Sequence, residues 1–401
     1  MSDRLDSLAK IHYGKAPSDV ISIDGEVPIV GTGGSYGRAT RAMFDKGIVV
    51  ARKGSLGTPH LFKSPFWPVD TTYAVVPKSN IDIDWLYYSL LSFDLTKLNE
   101  ATGVPSINRN WLAKITFPNP GLARQQKVAT ILTSIDTAIE KTEALIAKYQ
   151  QIKAGLMHDL FTRGVLPNGQ LRPPREQEPE LYQETAIGWA PQEWRIEPLG
   201  GCLKAPPKNG YSPREVDSWQ GVYVLGLGCL TPDGFEAKQL KNAPRDAAKV
   251  SGALLEGGDF LISRANTPEL VGLCGIFKNV GSPAIYPDLM MRLKLVDFIV
   301  ADFLEAQLLM PATRKRLTAL AVGTSSSMAK LNAKSVQQLI IAVPDVIEQK
   351  AIVGKLRKLT DCISIYKSAS DKLHAQKQGL MHDLLTGKVP VKVEEPEAVD
   401  G

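Results

Sequence analysis

The sequence is poor in the features that usually announce chemistry. Its 401 residues include four cysteines and five histidines. Cys202, Cys229, Cys274 and Cys362 form no Cys-x-x-Cys pair, and none lies near a histidine at zinc-ligand spacing. This argues against a zinc module and a disulfide scaffold and for a reducing, cytoplasmic setting. No run of about 18 apolar residues occurs, so no membrane span is expected. The opening Met-Ser-Asp-Arg-Leu-Asp lacks the apolar stretch of a secretory signal.

Cofactor motifs are missing as well. Gly31-Thr-Gly-Gly-Ser-Tyr-Gly37 places Tyr36 where a dinucleotide fingerprint requires glycine, and no G-x-x-x-x-G-K-[ST] is present. The stretch reads as a glycine-rich surface loop, with Arg38 and Arg41 behind it as candidates for close approach to DNA. Ala205-Pro-Pro-Lys208 has the wrong flanks for the polar-Pro-Pro-aromatic loop of a methyltransferase. The expectation is a chain with no catalytic residues, no metal and no cofactor of its own. Charge excludes little: 47 Lys and Arg against 42 Asp and Glu, a net +5, permits nucleic-acid binding without demanding it.

What is present is a repeat. "GLMHDL" occurs at Gly155–Leu160 and again at Gly379–Leu384, a shift of 224 positions. Upstream of the first copy, Val128, Leu132, Ile135, Ile139, Thr142, Ile146, Tyr149, Lys153, Leu156 and Leu160 alternate steps of four and three. The same shift leads to Ile352, Leu356, Leu359, Ile363, Tyr366, Ser370, Leu373, Lys377, Leu380 and Leu384. This period predicts two coiled-coil helices, each with a seam about 50 Å long. Asn119-Pro120 and Asp345, with Glu348 three residues on, mark the starts, and Gly164 and Gly387 the stops. Gln126-Lys127 is matched with Gln349-Lys350.

The predicted organisation is α+β: two globular domains joined by two long antiparallel helices in an internal pseudo-twofold repeat. The segments are 1–118 globular, 119–163 helix, 164–191 Pro-rich linker crossing the surface in extended form, 192–343 globular, 344–387 helix and 388–401 acidic flexible tail. The globular segments are weakly alike. "RLDSLAKI" pairs with "RIEPLGGC", "GIVVARKGSLG" with "GDFLISRANTP", and the closing "ATGVPSIN" with "VGTSSSMAKLN".

Arg52, Lys53 and Ser55, and likewise Arg264, Asn266 and Thr267, sit at the ends of strand-like runs. Arg and Asn suit base edges, and Lys and Ser suit phosphates. Asn108, Arg109, Ser326 and Lys330, in or beside the closing loops, complete the candidate DNA-contacting set. Each such run alone is as often a solvated strand end; the pairing across both halves is what favours a shared task. His158-Asp159 and His382-Asp383 are adjacent on a helix and point about 100° apart, so neither pair forms a dyad.

Several stretches carry a family resemblance. They are "FPNPGLARQQKVATILTSIDTAIEKTEALIAKYQQIKAGLMHDLFTRGV", "AIGWAPQEWRIEPLG", "VPDVIEQKAIVGKLRKLTDCISIYKSASDKLHAQKQGLMHDLLTGKV", and "GIVVARKGSLG" followed by "FWPVDTTYAVVP". With these the chain resembles the specificity subunit of type I restriction–modification systems. The resemblance implies two target-recognition domains, each reading half of a split double-stranded DNA target, with the helices as spacer. It implies no catalysis by this chain. Its partners would be two methyltransferase subunits using S-adenosylmethionine and restriction/translocase subunits using ATP and Mg, with no membrane. One departure is the absence before "RLDSLAKI" of a Trp-led stretch like "GWAPQEW", as if a short N-terminal extension were trimmed. Met157, His158 and Asp159, with Met381, His382 and Asp383, are candidate docking residues for the methyltransferase subunits. The competing reading is a coiled-coil assembly scaffold that reads no DNA sequence. A fused enzyme is disfavoured by the missing motifs.

Overall fold

The computed structural model describes residues 2–245, 250–322 and 328–393. Ser326 and most of the 388–401 tail fall outside them. Two compact units emerge: Met1–Ala147 with Ile365–Gly401, and Lys148–Ser364. Both mix helix and sheet.

In the first unit, the wholly apolar run Gly47–Ala51 is buried and central, as a strand covered on both faces must be. It lies in a four-stranded antiparallel sheet ordered Ala9–Tyr13, Thr72–Pro77, Gly47–Ala51, His60–Phe62. A three-stranded sheet, Gly34–Ala39, Val27–Gly31, Trp67–Pro68, stands beside it in the chain order, with its last pair parallel. The glycine-rich stretch is thus a β-hairpin. The second unit repeats this plan. Its four strands are Lys208–Asn209, Met290–Leu293, Phe260–Ser263 and Cys274–Ile276. Its three are Leu240–Asn242, Tyr223–Leu225 and Ala284–Ile285, again with the last pair parallel.

Hydrogen bonding fixes which residues correspond. Leu5 N–H donates to Ile115 O at 2.8 Å, as Leu199 N–H does to Leu339 O at 2.7 Å. Lys78 N–H donates to Leu8 O as Val296 N–H does to Cys202 O, both at 3.0 Å. This corrects the sequence pairing of "RLDSLAKI" with "RIEPLGGC": Leu5 corresponds to Leu199, and Arg4 to Pro198 instead of Arg195. Both segments begin with Arg, but strand pairing, not that shared residue, sets the register.

The long helices are Leu122–Thr162 and Val346–Leu385, and each contributes to both units. In the first unit they run antiparallel, with Asp136 bound to Lys377 at 2.6 Å and Glu143 to His374 at 3.1 Å. The heptad residues near the helix ends do more than face the other helix. Val128, Leu132, Leu384 and Leu385 share one core with Leu5, Trp85 and Leu112. In the second unit, Leu160, Phe161, Ile352 and Leu356 share another with Trp194 and Phe303. Thr142, Ile146, Tyr149 and Lys153, mid-helix, stay half-buried.

A buried glutamine fastens each globular part to its helix. Gln125 Oε1 accepts from Asp82 N–H at 2.8 Å, at the start of helix Ile83–Ser92, and its Nε2 donates to Asn119 Oδ1 at 2.7 Å. Gln349 Oε1 accepts from Val300 N–H at 2.7 Å, at the start of helix Ala301–Leu309, and its Nε2 donates to Phe298 O and Pro344 O, both at 2.9 Å. Both amides are fully buried, which is tolerable because their hydrogen bonds are made. The structural counterpart of Gln349 is therefore Gln125, one residue before the Gln126 that a Gln-Lys match selects. Gln349→Leu, which strands three backbone groups, is expected to cost about 2–4 kcal/mol, read as a lowered urea midpoint; a loss no larger than that of an exposed Gln→Leu change would remove the clamp.

The segment 164–191 is not an extended surface crossing. Val165, Arg172, Tyr182 and Ala190 are buried, and Tyr182–Thr185 pairs with Gly188–Pro191 as a hairpin. Tyr182 Oη donates to Pro173 O at 2.6 Å, tying the proline-rich part down. Asp345 caps its helix, accepting from Glu348 N–H at 2.8 Å. The Glu348 carboxylate does not complete a capping box; it binds Arg172 at 2.5 Å instead.

Candidate nucleic-acid interface

Both central strands end at an arginine, and both arginines are held identically. Arg52 N–H donates to Thr71 O at 2.8 Å, and its carbonyl accepts from Ile107 N–H at 2.9 Å. Its Nη1 donates to Asp70 O at 2.9 Å. Arg264 N–H donates to Leu289 O and its carbonyl accepts from Leu331 N–H, both at 2.8 Å. Its Nη1 donates to Asp288 O at 3.3 Å. Each arginine is half-buried as a residue, and its guanidinium is anchored through one nitrogen. A fork with five donors and no acceptor, held this way, loses less rotamer freedom when it binds an acceptor pair.

Beside Arg52 stands Tyr13, which the sequence reading did not select. It lies across the sheet from Tyr73, with ring centroids 5.2 Å apart. Arg52 and Arg109 place their guanidinium carbons 5.1 Å and 5.6 Å from the Tyr13 ring centroid, a cation–π geometry. Tyr13 is 46% exposed. Burial, then the neighbouring Tyr13, pushes the Tyr73 hydroxyl above its ordinary pKa, so it stays protonated and donates to Ile107 O at 3.0 Å. A shallow cavity of about 410 Å³ alongside is lined by Lys10, His12, Tyr13 and Arg109 among others. No local signal marks Tyr13, because its importance comes from strand pairing with residues some 60 positions away.

The remaining candidates separate. Lys53 is exposed and bridges to Ser106, and Ser55 is exposed in the following loop. Asn108 caps helix Arg109–Lys114, its Oδ1 accepting from Asn110 N–H at 2.8 Å. Asn332 does the same for Ala333–Gln337, accepting from Ser335 N–H at 2.8 Å. Asn266 Oδ1 accepts from Thr267 N–H at 2.9 Å, leaving Thr267 half-buried in a turn. Lys330 is exposed and pairs with Ala265. Arg38 belongs to the three-stranded sheet, donating to Glu26 O at 2.9 Å, and Arg41 follows it, exposed.

The two "GLMHDL" copies are alike but not free throughout. Met157 packs on the Trp194 core and Met381 on the Leu5 core. Asp159 lies 3.8 Å from Arg163 and Asp383 lies 3.6 Å from Lys388. His158 and His382 are exposed. Among the described residues, no group of three or more His, Cys, Asp or Glu is placed to hold a metal, and no helix is long and apolar enough to cross a membrane.

Comparison with known proteins accords with this duplicated plan. The family described as Type I restriction modification DNA specificity domain matches residues 2–151. The MjaVIII type I restriction enzyme specificity subunit of Methanocaldococcus jannaschii is 28% identical over 331 residues, 77% of this chain and 70% of that protein. The EcoKI specificity subunit of Escherichia coli K12 is 23% identical over 277 residues, 68% of this chain and 56% of its own. Among solved structures, the S subunit of the type I system of M. genitalium superposes with a TM-score of 0.61 at 17% identity, covering 98% of this chain and 96% of that one. A chain from a type I system studied for complex assembly and conformational transition gives 0.53 at 14% identity, covering 97% and 98%. At these identities the structural matches speak for the fold alone. Fold, domain match and curated relatives agree: residues 2–151 match a type I restriction modification DNA specificity domain, and over most of its length the chain is similar to specificity subunits of type I restriction–modification systems.

Proposed function

We propose that this chain reads a bipartite double-stranded DNA target, one half-site per unit, and scaffolds the enzyme subunits that act on it. The observation that carries this is the repeated clamp: Arg52 on Asp70 O and Arg264 on Asp288 O, at the same place in two copies of one sheet plan. A donor fork fixed at a strand end is the chemistry that base edges and phosphates accept. The chain itself supplies no catalysis. Two methyltransferase subunits bring S-adenosylmethionine, and restriction/translocase subunits bring ATP and Mg. The repeated His158-Asp159 and His382-Asp383 surfaces serve as docking points for the methyltransferase subunits. The setting is the cytoplasm of a bacterium or archaeon.

The test is to map methylated bases in cells carrying this chain with its methyltransferase. A two-part motif with a constant gap is expected. Arg52→Ala and Arg264→Ala should each weaken methylation roughly 5- to 150-fold, the worth of one good guanidinium contact. Loss confined to opposite half-sites in the two variants supports the reading. Unchanged methylation in both would remove the clamp from the interface. Methylation with no two-part motif would favour an assembly scaffold instead.

A further inference from the structure

The two clamps share an arginine but differ in what surrounds it. Tyr13 stands opposite Tyr73 across the sheet, and Asn209 stands opposite Met291 in the matching strand pair. In the same way Val50 faces Tyr73, and Ile262 faces Met291. Tyr13 and Asn209 therefore occupy one position in the plan. Arg109 opens helix Arg109–Lys114 after the capping Asn108, and Ala333 opens Ala333–Gln337 after the capping Asn332. The first unit thus surrounds its anchored arginine with Tyr13 and a second guanidinium. The second unit has Asn209 and Ala333 there.

We infer that the residues at these two positions, Tyr13 with Arg109 and Asn209 with Ala333, set the base preference of each unit, while the anchored arginine is common to both. This rests on the DNA-reading function proposed above. The chemistry differs between the units. Arg52 and Arg109 are donors without acceptor capacity, both brought within 6 Å of one aromatic ring. Donor forks of this kind fit the O6 and N7 acceptors of guanine in the major groove. The Tyr13 ring backs both guanidinium groups and limits their conformations. Asn209 carries a donor and an acceptor on one exposed amide, the pairing that adenine N6 and N7 present. Removing Arg109 or Tyr13 therefore takes a guanine preference from the first half-site. Changing Asn209 takes an adenine preference from the second.

The experiment uses the chain assembled with its methyltransferase subunits, tritiated S-adenosylmethionine, and duplexes varied one base pair at a time across both half-sites. The variants are Arg109→Ala and Tyr13→Asn in the first unit, each importing what the second unit already holds, and Asn209→Ala in the second. Unchanged urea midpoints establish that each variant folds. Discrimination for a G·C pair in one half-site is expected to fall about tenfold or more for Arg109→Ala and Tyr13→Asn, with the other half-site intact. Asn209→Ala should instead relax an A·T preference in the opposite half-site. A uniform fall on every duplex would make these phosphate contacts and overturn the inference. So would unaltered preference at every base pair in all three variants. If the unsubstituted complex showed no two-part preference, the failure would lie with the DNA-reading function itself.

Discussion

Gly164→Ala is expected to cost the second unit about 4–7 kcal/mol, against about 1–2 kcal/mol for Gly387→Ala. Both glycines follow a long helix, and both adopt left-handed backbone, with φ +68° at Gly164 and +73° at Gly387. A side chain pays roughly the same conformational penalty at either place. Their surroundings differ. A methyl on Gly164 would fall on Glu348 Oε1, 2.5 Å from Arg172 Nη1 and 2.7 Å from the Trp194 ring. One on Gly387 meets nothing within 4 Å among the described residues. The added carbon must break a buried ion pair or displace a buried indole, and neither yields cheaply. Since whole domains are stable by about 5–15 kcal/mol, Gly164→Ala should remove a large part of the unit's stability. Urea unfolding of the full chain checks this, and equal costs at the two glycines would refute it.

The pair that Gly164 borders supports the second large effect. Glu348 accepts at both carboxylate oxygens. Oε1 takes Val165 N–H at 2.7 Å and Arg172 Nη1 at 2.5 Å, and Oε2 takes Arg172 Nη2 and Trp194 Nε1, both at 3.1 Å. Arg172 also reaches Glu193 Oε2 at 2.5 Å. Burial pulls the Arg172 pKa down, but its bonds to Glu348 and Glu193 outweigh that and raise it. The guanidinium therefore stays charged at every accessible pH. Glu348→Ala leaves that charge buried, at 3% exposure, with the exposed Glu193 carboxylate and the Arg163 carbonyl as its remaining partners. The expected loss is about 3–5 kcal/mol. Arg172→Met combined with Glu348→Ala should cost clearly less than the two single losses together, because no uncompensated charge remains. Simple additivity would mean that the two residues do not act as a pair. Since the bond ties the 164–191 segment to the second long helix, Glu348→Ala should also speed tryptic cleavage after Arg175. Cleavage at the rate of the unsubstituted chain would show that other contacts hold this segment.

Much of the fold was readable along the chain because it depends on short-range periodicity. Steps of four and three from Val128 to Leu160 specify a helix whatever it packs against. Asp345 caps and Gly164 stops through backbone chemistry within a few residues. The repeat itself, with its 224-residue shift, pairs Gln125 with Gln349 once the heptads are used as the ruler. The terminal arginines Arg52 and Arg264 were visible as the ends of apolar runs.

What decided the site was contact between residues far apart in sequence. Tyr13 meets Arg52 because Ala9–Tyr13 and Gly47–Ala51 both pair with Thr72–Pro77. The proline-rich 164–191 stretch reads as an extended surface crossing along the chain, whereas its Arg172 is buried against Glu348, 176 residues later. Leu5 matches Leu199 through its bond to Ile115, although the local letters favour aligning the arginines. Sequence alone determined the helices, their stops and the duplication, because those follow from local backbone geometry and the spacing of apolar side chains. Tertiary structure decided which side chains flank each anchored arginine and which charges are buried, because strand register and long-range burial leave no local mark on composition.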